Sequence, residues 1–498
     1  MEVLSIVFYL LLTLTLLQTL LSLARGSRTC RKLPPGPAAL PVVGNILKLG
    51  DKPHKSLAEL AKTHGPIMSL KLGQLTTIVV SSSTMAKQVL QKQDLAFSTR
   101  SIPNSLHAHD HNHYSVVWLP VADRWRSLRK IMTSNIFSGN RLDANQYLRR
   151  QKVEELISYV GKCCGEGVAV DIGRVAFTTS LNLLSNTVFS VDLSDPSHDS
   201  SKEFKELVSN IMEEAGKPNL VDYFPALVKI DPQGIRGRMR VHFAKIIQLF
   251  GRLIDERSEL RKLGKTSEGK DVLDVLLDIS EQNNEEIDRT HIEHLFLDLF
   301  VAGTDTTSNT VEWAMAELLQ NPETLKKAKA ELEETIGKGK LVEELDISRL
   351  PYLQAIVKET SRIHPPVPFL IPRKVETDVE VCGYIVPQGA QLLVNAWAIG
   401  RDPSIWPYPT SFMPERFLGS EIDVRGRDFE LIPFGAGRRI CPGLPLAIRM
   451  VPMMLGSFIN SFDWKLEGGI APRDLDMEEK FGITLQKAQP LRAVPINV

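Results

Sequence analysis

Cysteine is scarce in this chain of 498 residues: Cys30, Cys163, Cys164, Cys382 and Cys441 are all there is, an odd number without a CxxC pair. That excludes a disulfide framework and a cysteine-rich zinc site, and it suits a reducing compartment. Surplus charge is lacking as well. Lys plus Arg and Asp plus Glu each number 59, so the formal net charge is zero and the basic excess of a nucleic-acid binder is missing. There is no internal repeat, no low-complexity tract and no glycine-rich nucleotide-binding loop, so a built-in flavin or nicotinamide domain is excluded. The hydrophobic share of 43% excludes global disorder. The length exceeds one ordinary core, which leaves one large fold or two or three smaller ones.

Apolar runs of membrane-spanning length are missing too, with one exception. Val3–Ala24 holds no charged residue and as a helix would reach roughly 33 Å, enough for a hydrocarbon core. Arg25, Arg28, Arg31 and Lys32 follow it, and Glu2 precedes it. The positive-inside rule then places everything after residue 25 in the cytoplasm, as a single-pass protein in contact with membrane lipid. A cleaved signal peptide would carry its positive charge before a shorter run. Leu33–Pro37, LPPGP, cannot continue a helix and reads as a stiff hinge. The chain thus divides into an N-terminal membrane anchor (1–25), a basic and proline-rich hinge (26–50) and one body (51–498).

Within the body, residues 66–84 alternate and are rich in β-branched residues, predicting a hairpin. From about 84 to 365 the apolar period is helical, clearest at 145–161, 202–215, 237–264 and 270–281. Residues 373–396 return to strand-like alternation, with turns at Gly383 and Pro387–Gly389, and 400–440 reads as long ordered loop. The reading is mostly α: one large helical domain with small β-sheets. The longest helix runs from about Thr290, with Glu293 completing a capping box, to Gln320, where Asn321-Pro322 ends it. Its centre, Ala302–Thr307, is AGTDTT. Glycine and threonine are poor helix formers, so a functional reason is expected: a thinned helix against which something bulky lies, or hydroxyls that bond back and open a bulge.

Residues 433–443 read PFGAGRRICPG. Gly435, Gly437 and Gly443 permit tight turns. Cys441 precedes an apolar helix, so its sulfur sits at a helix N-terminus, where free N–H groups stabilise a thiolate, and Arg438 and Arg439 add positive charge. A buried inert cysteine is the competing reading. His107, His109, His111 and His113 alternate, which in an extended segment puts four imidazoles on one face; a metal site or, more simply, a solvated loop or pocket wall would follow.

Phe434, Gly437, Arg439, Cys441 and Gly443 match F-x-x-G-x-R-x-C-x-G at every fixed position. In this the chain resembles the cytochrome P-450 superfamily. Glu359 and Arg362 match its E-x-x-R motif, Pro414–Phe417 its PERF motif, Ala302–Thr307 its oxygen-binding helix motif, Trp125 and Arg129 its W-x-x-x-R motif, and LPPGP its proline-rich region. The resemblance implies a haem-thiolate monooxygenase fold carrying haem b, with Cys441 as the axial ligand and Ala302 against the ring. It also implies that the propionates are met by Arg129, Arg373, Arg439 and Trp125. Asp305 and Thr306 would deliver protons, and Glu359, Arg362 and Arg416 would form a buried structural triad holding the thiolate loop. A substrate pocket is implied at Leu297, Asp298, Val301, Val367–Leu370 (Val367, Phe369 and Leu370 among them) and Phe481–Ile483, with the loop from Ser101 to Val117.

Segments such as SNIFSGNRLDANQ, GKPNLVDYFP and DMEEKFGITLQKA are similar to plant members that hydroxylate monoterpene alcohols. They imply a small lipophilic terpenoid, geraniol or nerol at its C8 allylic methyl, by R–H + O2 + NADPH + H+ → R–OH + H2O + NADP+. NADPH would act through a separate flavoprotein reductase, and the protein would lie in the endoplasmic reticulum membrane. Another terpenoid or a flavonoid is the alternative substrate. A reductase-independent hydroperoxide isomerase or lyase, or a non-enzymatic haem protein, is the alternative class.

Overall fold

The computed structural model describes Thr13 and residues 33–195, 199–264, 270–282 and 287–498. Apart from Thr13, the anchor at 1–25 and the basic part of the hinge lie outside the described residues. The proline-rich part is docked. The Ser69 N–H donates to Pro35 O at 2.8 Å and Ser69 Oγ to Pro34 O at 2.7 Å. A Cβ on Gly36 would stand 1.9 Å from Ser69 O, so only glycine lets the two backbones approach this closely. This stretch packs onto the first strand as part of the body.

Helices dominate and the sheets are small. The periodic segments become Gln146–Glu166, Asp199–Gly216, Ile235–Lys262 and Val272–Gln282. The hairpin pairs Ile67–Leu72 with Leu75–Val80. Strand Leu75–Val80 then takes Gln391–Val394 in parallel, and Arg373–Lys374 and Thr99–Arg100 complete a five-stranded sheet. At that edge the register sets Arg100 directly opposite Arg373. The Gly383 turn closes Val379–Val381 on Tyr384–Val386, with Cys382 and Gly383 both at positive φ, 49° and 82°. Two adjacent left-handed residues match the right-handed twist of a tight hairpin.

The long helix spans Arg289–Gln320. Its cap is Asp288 rather than Thr290: Asp288 Oδ1 accepts the His291 N–H at 2.9 Å, and His291 Nδ1 accepts the Asp288 N–H at 3.4 Å. A carboxylate ahead of the first turn satisfies the free N–H groups and suits the helix dipole better than a threonine hydroxyl would. Glu293, freed from capping, pairs with Arg289. The far end stops at Asn321, as its proline predicts.

Two apolar cores flank this helix. Leu295, Phe296, Leu299 and Phe300 pack with Phe177, Phe189, Phe243 and Phe250, while Val311, Ala314, Met315 and Leu318 pack with Met450–Ile459. The helix Leu444–Ser461 is long and apolar enough to cross a membrane, but 67% of it is buried in the second of these cores. Its hydropathy reflects packing. The long helix and the start of Leu444–Ser461 both line one large cavity.

Candidate active site

The cavity holds about 730 Å³, with Cys441, Phe434 and Gly443 on one side and Ala302 and Thr306 on the other. Backbone conformation builds the cysteine side. Gly435 and Gly437 have φ of 70° and 69°, and a Cβ on Gly437 would stand 2.1 Å from Leu90 O. Gly443 has an ordinary φ of −80°, and its missing Cβ would lie 3.8 Å from Cys441 Sγ, so glycine there keeps space beside the sulfur. The Cys441 N–H donates to Phe434 O at 3.0 Å.

Burial pushes the Cys441 thiol up, and the N–H groups of Gly443 and Leu444 at the helix start, together with Arg129, oppose that shift. The helix N-terminus acts on the sulfur as the sequence suggests. The nearby cation does not come from the loop: Arg438 turns away to pair with Asp94 at 3.1 Å.

Four of the arginines that line the cavity are Arg100, Arg129, Arg373 and Arg439. Arg100, Arg373 and Arg439 are only 7%, 4% and 7% exposed. Their N–H groups reach backbone carbonyls: Arg100 to Ile371 O at 2.9 Å, Arg129 to Ile440 O at 2.5 Å, Arg373 to Phe97 O at 3.1 Å, and Arg439 to Ser98 O at 2.9 Å. None of the four makes an ion pair with a carboxylate among the described residues. Burial draws Arg373 down to about 10. It draws Arg439 to about 9, with Arg373 and Arg129 adding repulsion, and Arg100 is lowered well below its ordinary value by the same two effects. Trp125 lies under Arg439, 4.7 Å from its Cζ, but its indole N–H is already given to Val116 O at 3.0 Å. It supports the arginine through its ring face.

Buried like charges without partners are costly. The geometry fits a ligand that brings two carboxylates to this edge and a metal to the sulfur, which describes haem. Sequence reasoning missed Arg100. Its strand partner is Arg373, far along the chain, and no local pattern marks it.

Along the long helix, Thr304, Thr306 and Thr307 bond back to Phe300, Ala302 and Gly303 carbonyls at 2.6, 2.7 and 2.8 Å. The expected bulge does not open; the helix runs unbroken through 302–307. Gly303 serves packing, since its missing Cβ would stand 2.8 Å from Leu184 Cδ1. Ala302 and Thr306 face the cavity, and Asp305 does not. Its carboxyl, 2% exposed, accepts from Thr484 Oγ1 at 2.7 Å, Gln486 Nε2 at 2.8 Å and Asn309 Nδ2 at 3.1 Å. Burial raises its pKa against those donors. Adjacent helix positions point about 100° apart, and here the pair diverges; of the three donors to Asp305, Thr484 also lines the cavity and connects it to that space.

Glu359, Arg362 and Arg416 come together, with Arg416 Nε 3.3 Å from Glu359 Oε1. They tie helix Pro351–Ile363 to Gly400, Pro409, Ser411 and Met413, and Trp406 and Phe417 of that stretch join an apolar cluster against which Phe434 packs. Their hold on the cysteine loop is therefore indirect. Of the pocket residues, Leu297, Asp298, Val301, Val367, Leu370 and Ile483 line the cavity. Leu370 does so with φ of +52°, a strained backbone for leucine. Phe369 and Phe481 do not line it; they meet edge to face, 6.0 Å apart, in the core under the first hairpin.

The four histidines are not on one face. Asn104–His113 is 3-10 helical and breaks where His109 and Asp110 take φ of 51° and 54°. His109 reaches Arg240 O at 3.0 Å, while His111 turns inward. Its Nδ1 is 2.8 Å from His294 Nδ1 and its Nε2 is 3.2 Å from Asp298 Oδ1. Among the described residues no cluster of three or more His, Cys, Asp or Glu is placed to hold a metal.

A cavity that asks for a dianion at one edge and offers a thiol to a metal at its floor defines a haem-thiolate protein. The chain belongs to the cytochrome P450 family, whose profile, described as Cytochrome P450, matches residues 34–491. It is 68% identical to Geraniol 8-hydroxylase of Catharanthus roseus over 99% of both chains, and 68% identical to the protein of the same name from Swertia mussotii, again over 99% of both. Drimenol monooxygenase of Persicaria hydropiper is 56% identical over 95% of this chain and 94% of its own length. The protein is a haem-thiolate monooxygenase.

Proposed function

We propose that the protein hydroxylates geraniol, or the related nerol, at the C8 allylic methyl, with electrons from NADPH passed on by a separate flavoprotein reductase. The observation that carries the reading is that Cys441 and Thr306 line one cavity whose remaining walls are mainly apolar, among them Leu297, Val301, Val367, Leu370 and Ile483. Two relatives 68% identical over 99% of the chain are named for that reaction. Residues 1–25 anchor the protein in the endoplasmic reticulum membrane, residues 26–50 lead from it, and the catalytic body, residues 51–498, lies in the cytosol, where a lipophilic substrate arrives from the lipid.

In this reading Cys441 ligates the iron. Arg100, Arg129, Arg373 and Arg439 hold the propionates, with Trp125 beneath Arg439. Phe434, Gly437 and Gly443 shape the loop, and Ala302 leaves room for the ring. Haem, when bound, supplies activation of molecular oxygen, with the thiolate donating electron density to the metal. The chain's own part is to exclude water with apolar walls, to place the allylic methyl, and to handle protons at Thr306 Oγ1. Asp305 contributes through Thr484 Oγ1, which donates to it.

Membranes containing this protein and a reductase, given O2 and NADPH with geraniol, nerol and a phenolic panel, test the reading by mass spectrometry. The 8-hydroxylated monoterpenol is the expected product. A product formed only from a hydroperoxide, without reductase, would replace the reading with an isomerase or lyase.

A further inference from the structure

Asp298 and His111 form a buried polar pair in the cavity wall that neither the cysteine side nor the arginine edge uses. They are 7% and 3% exposed. Three donors serve the Asp298 carboxyl. Ser115 Oγ sits 2.7 and 2.9 Å from its two oxygens, the Val116 N–H reaches Oδ2 at 2.8 Å, and His111 Nε2 stands 3.2 Å from Oδ1. These contacts pin the loop around residue 115 to the long helix. A carboxylate offers about four acceptor sites, so the loop leaves one of them free. His111 is held in turn by His294, at 2.8 Å.

Position matters as much as chemistry. Asp298, Ala302 and Thr306 are spaced i, i+4, i+8 on the same helix, and all three line the cavity. One side of the cavity therefore carries, in order, a carboxyl, a methyl and a hydroxyl. At about 1.5 Å per residue, the carboxyl and hydroxyl positions are about 12 Å apart along the axis. In extended geraniol roughly eight bonds separate the hydroxyl oxygen from the C8 methyl, a span of about 10 Å for bonds near 1.5 Å.

We infer that Asp298, oriented by His111, accepts the hydroxyl of the substrate, and that the row Asp298–Ala302–Thr306 measures the distance from that hydroxyl to the carbon oxidised. The inference rests on the substrate reading above and deepens it. The class it specifies is an acyclic ten-carbon primary alcohol, bound hydroxyl-first toward Asp298 with its far methyl beside Thr306. Apolar walls alone bind either end of such a molecule equally well; a single buried acceptor breaks that symmetry.

The experiment compares geraniol with 2,6-dimethylocta-2,6-diene, the same skeleton without the hydroxyl. Affinities are read from the ligand-induced Soret shift of the haem-loaded protein, and oxidation products are identified in parallel. The unaltered protein should bind the alcohol about tenfold to a hundredfold more tightly than the hydrocarbon, the range expected of one hydrogen bond to a charged group. Asp298→Ala, which removes the acceptor, should bring that ratio close to one and spread oxidation over several positions. Ser115→Ala, which loosens the loop but spares the acceptor, should keep the ratio. Equal affinities in the unaltered protein overturn the inference, with no variant needed. So does a ratio that survives Asp298→Ala, or one that Ser115→Ala abolishes equally. If the unaltered protein oxidises no geraniol at all, the substrate reading falls and takes this inference with it; turnover of geraniol with an unselective ratio overturns the inference alone.

Discussion

Arg362 and Glu359 form a two-pronged ion pair, Nε to Oε2 at 2.6 Å and Nη2 to Oε1 at 2.7 Å, and neither side chain has any solvent exposure. They sit one helical turn apart, and every remaining donor of Arg362 is spent on carbonyls of Gly400, Pro409 and Ser411. Glu359→Ala would leave that guanidinium, and Arg416 beside it, buried without an anion. The expected loss is about 3–5 kcal/mol. Denaturant titration of the purified variant measures it, and the yield of haem-loaded protein should fall with it. Arg416→Ala should cost less, because Arg416 only borders the pair at 3.3 Å.

Across the edge strands, Arg100 and Arg373 stand directly opposite each other. Like charges in that position repel, and both groups are buried. An anion bridging them relieves the repulsion, so Arg100→Leu should weaken haem retention while leaving the empty protein as stable as before, or more so. The rate of haem transfer to an excess of apomyoglobin should rise about tenfold or more, as loss of a charge-assisted hydrogen bond implies. An unchanged transfer rate would remove Arg100 from the propionate edge.

Much of this was legible in the sequence because it depends on short-range geometry. The glycines at 435 and 437 declare left-handed turns, which φ of 70° and 69° bear out. Periods of 3.6 and 2 located the helices and the hairpin. What escaped notice depends on partners far apart in the chain. Arg100 acquires its meaning only from Arg373, and His294 only from His111. Periodicity says that Asp305 and Thr306 point different ways but not which one faces the cavity. A docked hairpin elsewhere, with Thr484 in its turn and Gln486 on the strand that follows, settled that. Phe369 and Leu370 divide similarly: they are neighbours at a turn, and Leu370, at positive φ, lines the cavity while Phe369 does not.

Gly303 gives a sharp packing test. Its missing Cβ would meet the Leu184 side chain, with the flexible tip Cδ1 nearest at 2.8 Å. Gly303→Ala gains about 1 kcal/mol of helix propensity and displaces that tip, so stability should change by no more than about 1 kcal/mol. Gly303→Val overfills the space and should cost about 1–3 kcal/mol. Adding Leu184→Ala should recover part of that loss, a non-additivity that a double-mutant cycle of denaturation midpoints would register. Strictly additive effects would mean that the two residues do not share the space.

His294 should set an acid limit on stability. Burial, first, and the neighbouring His111, His109 and His291 draw its pKa from 6.5 down to about 3, so the folded protein keeps the ring neutral. Unfolded chains bind a proton there below about 6.5. Between pH 6.5 and 3 the unfolded state therefore holds more protons at this site, and stability falls as the pH falls; above 6.5 the site contributes no slope. From pH 7 to pH 5 the loss is roughly 2 kcal/mol, at about 1.4 kcal/mol per unit. His294→Gln removes the titrating ring and keeps an N–H for His111 Nδ1. It should flatten the decline between pH 7 and pH 5, measured by urea denaturation at each pH, even if it lowers stability at pH 7. A variant as acid-sensitive as the parent would place the acid limit at another group.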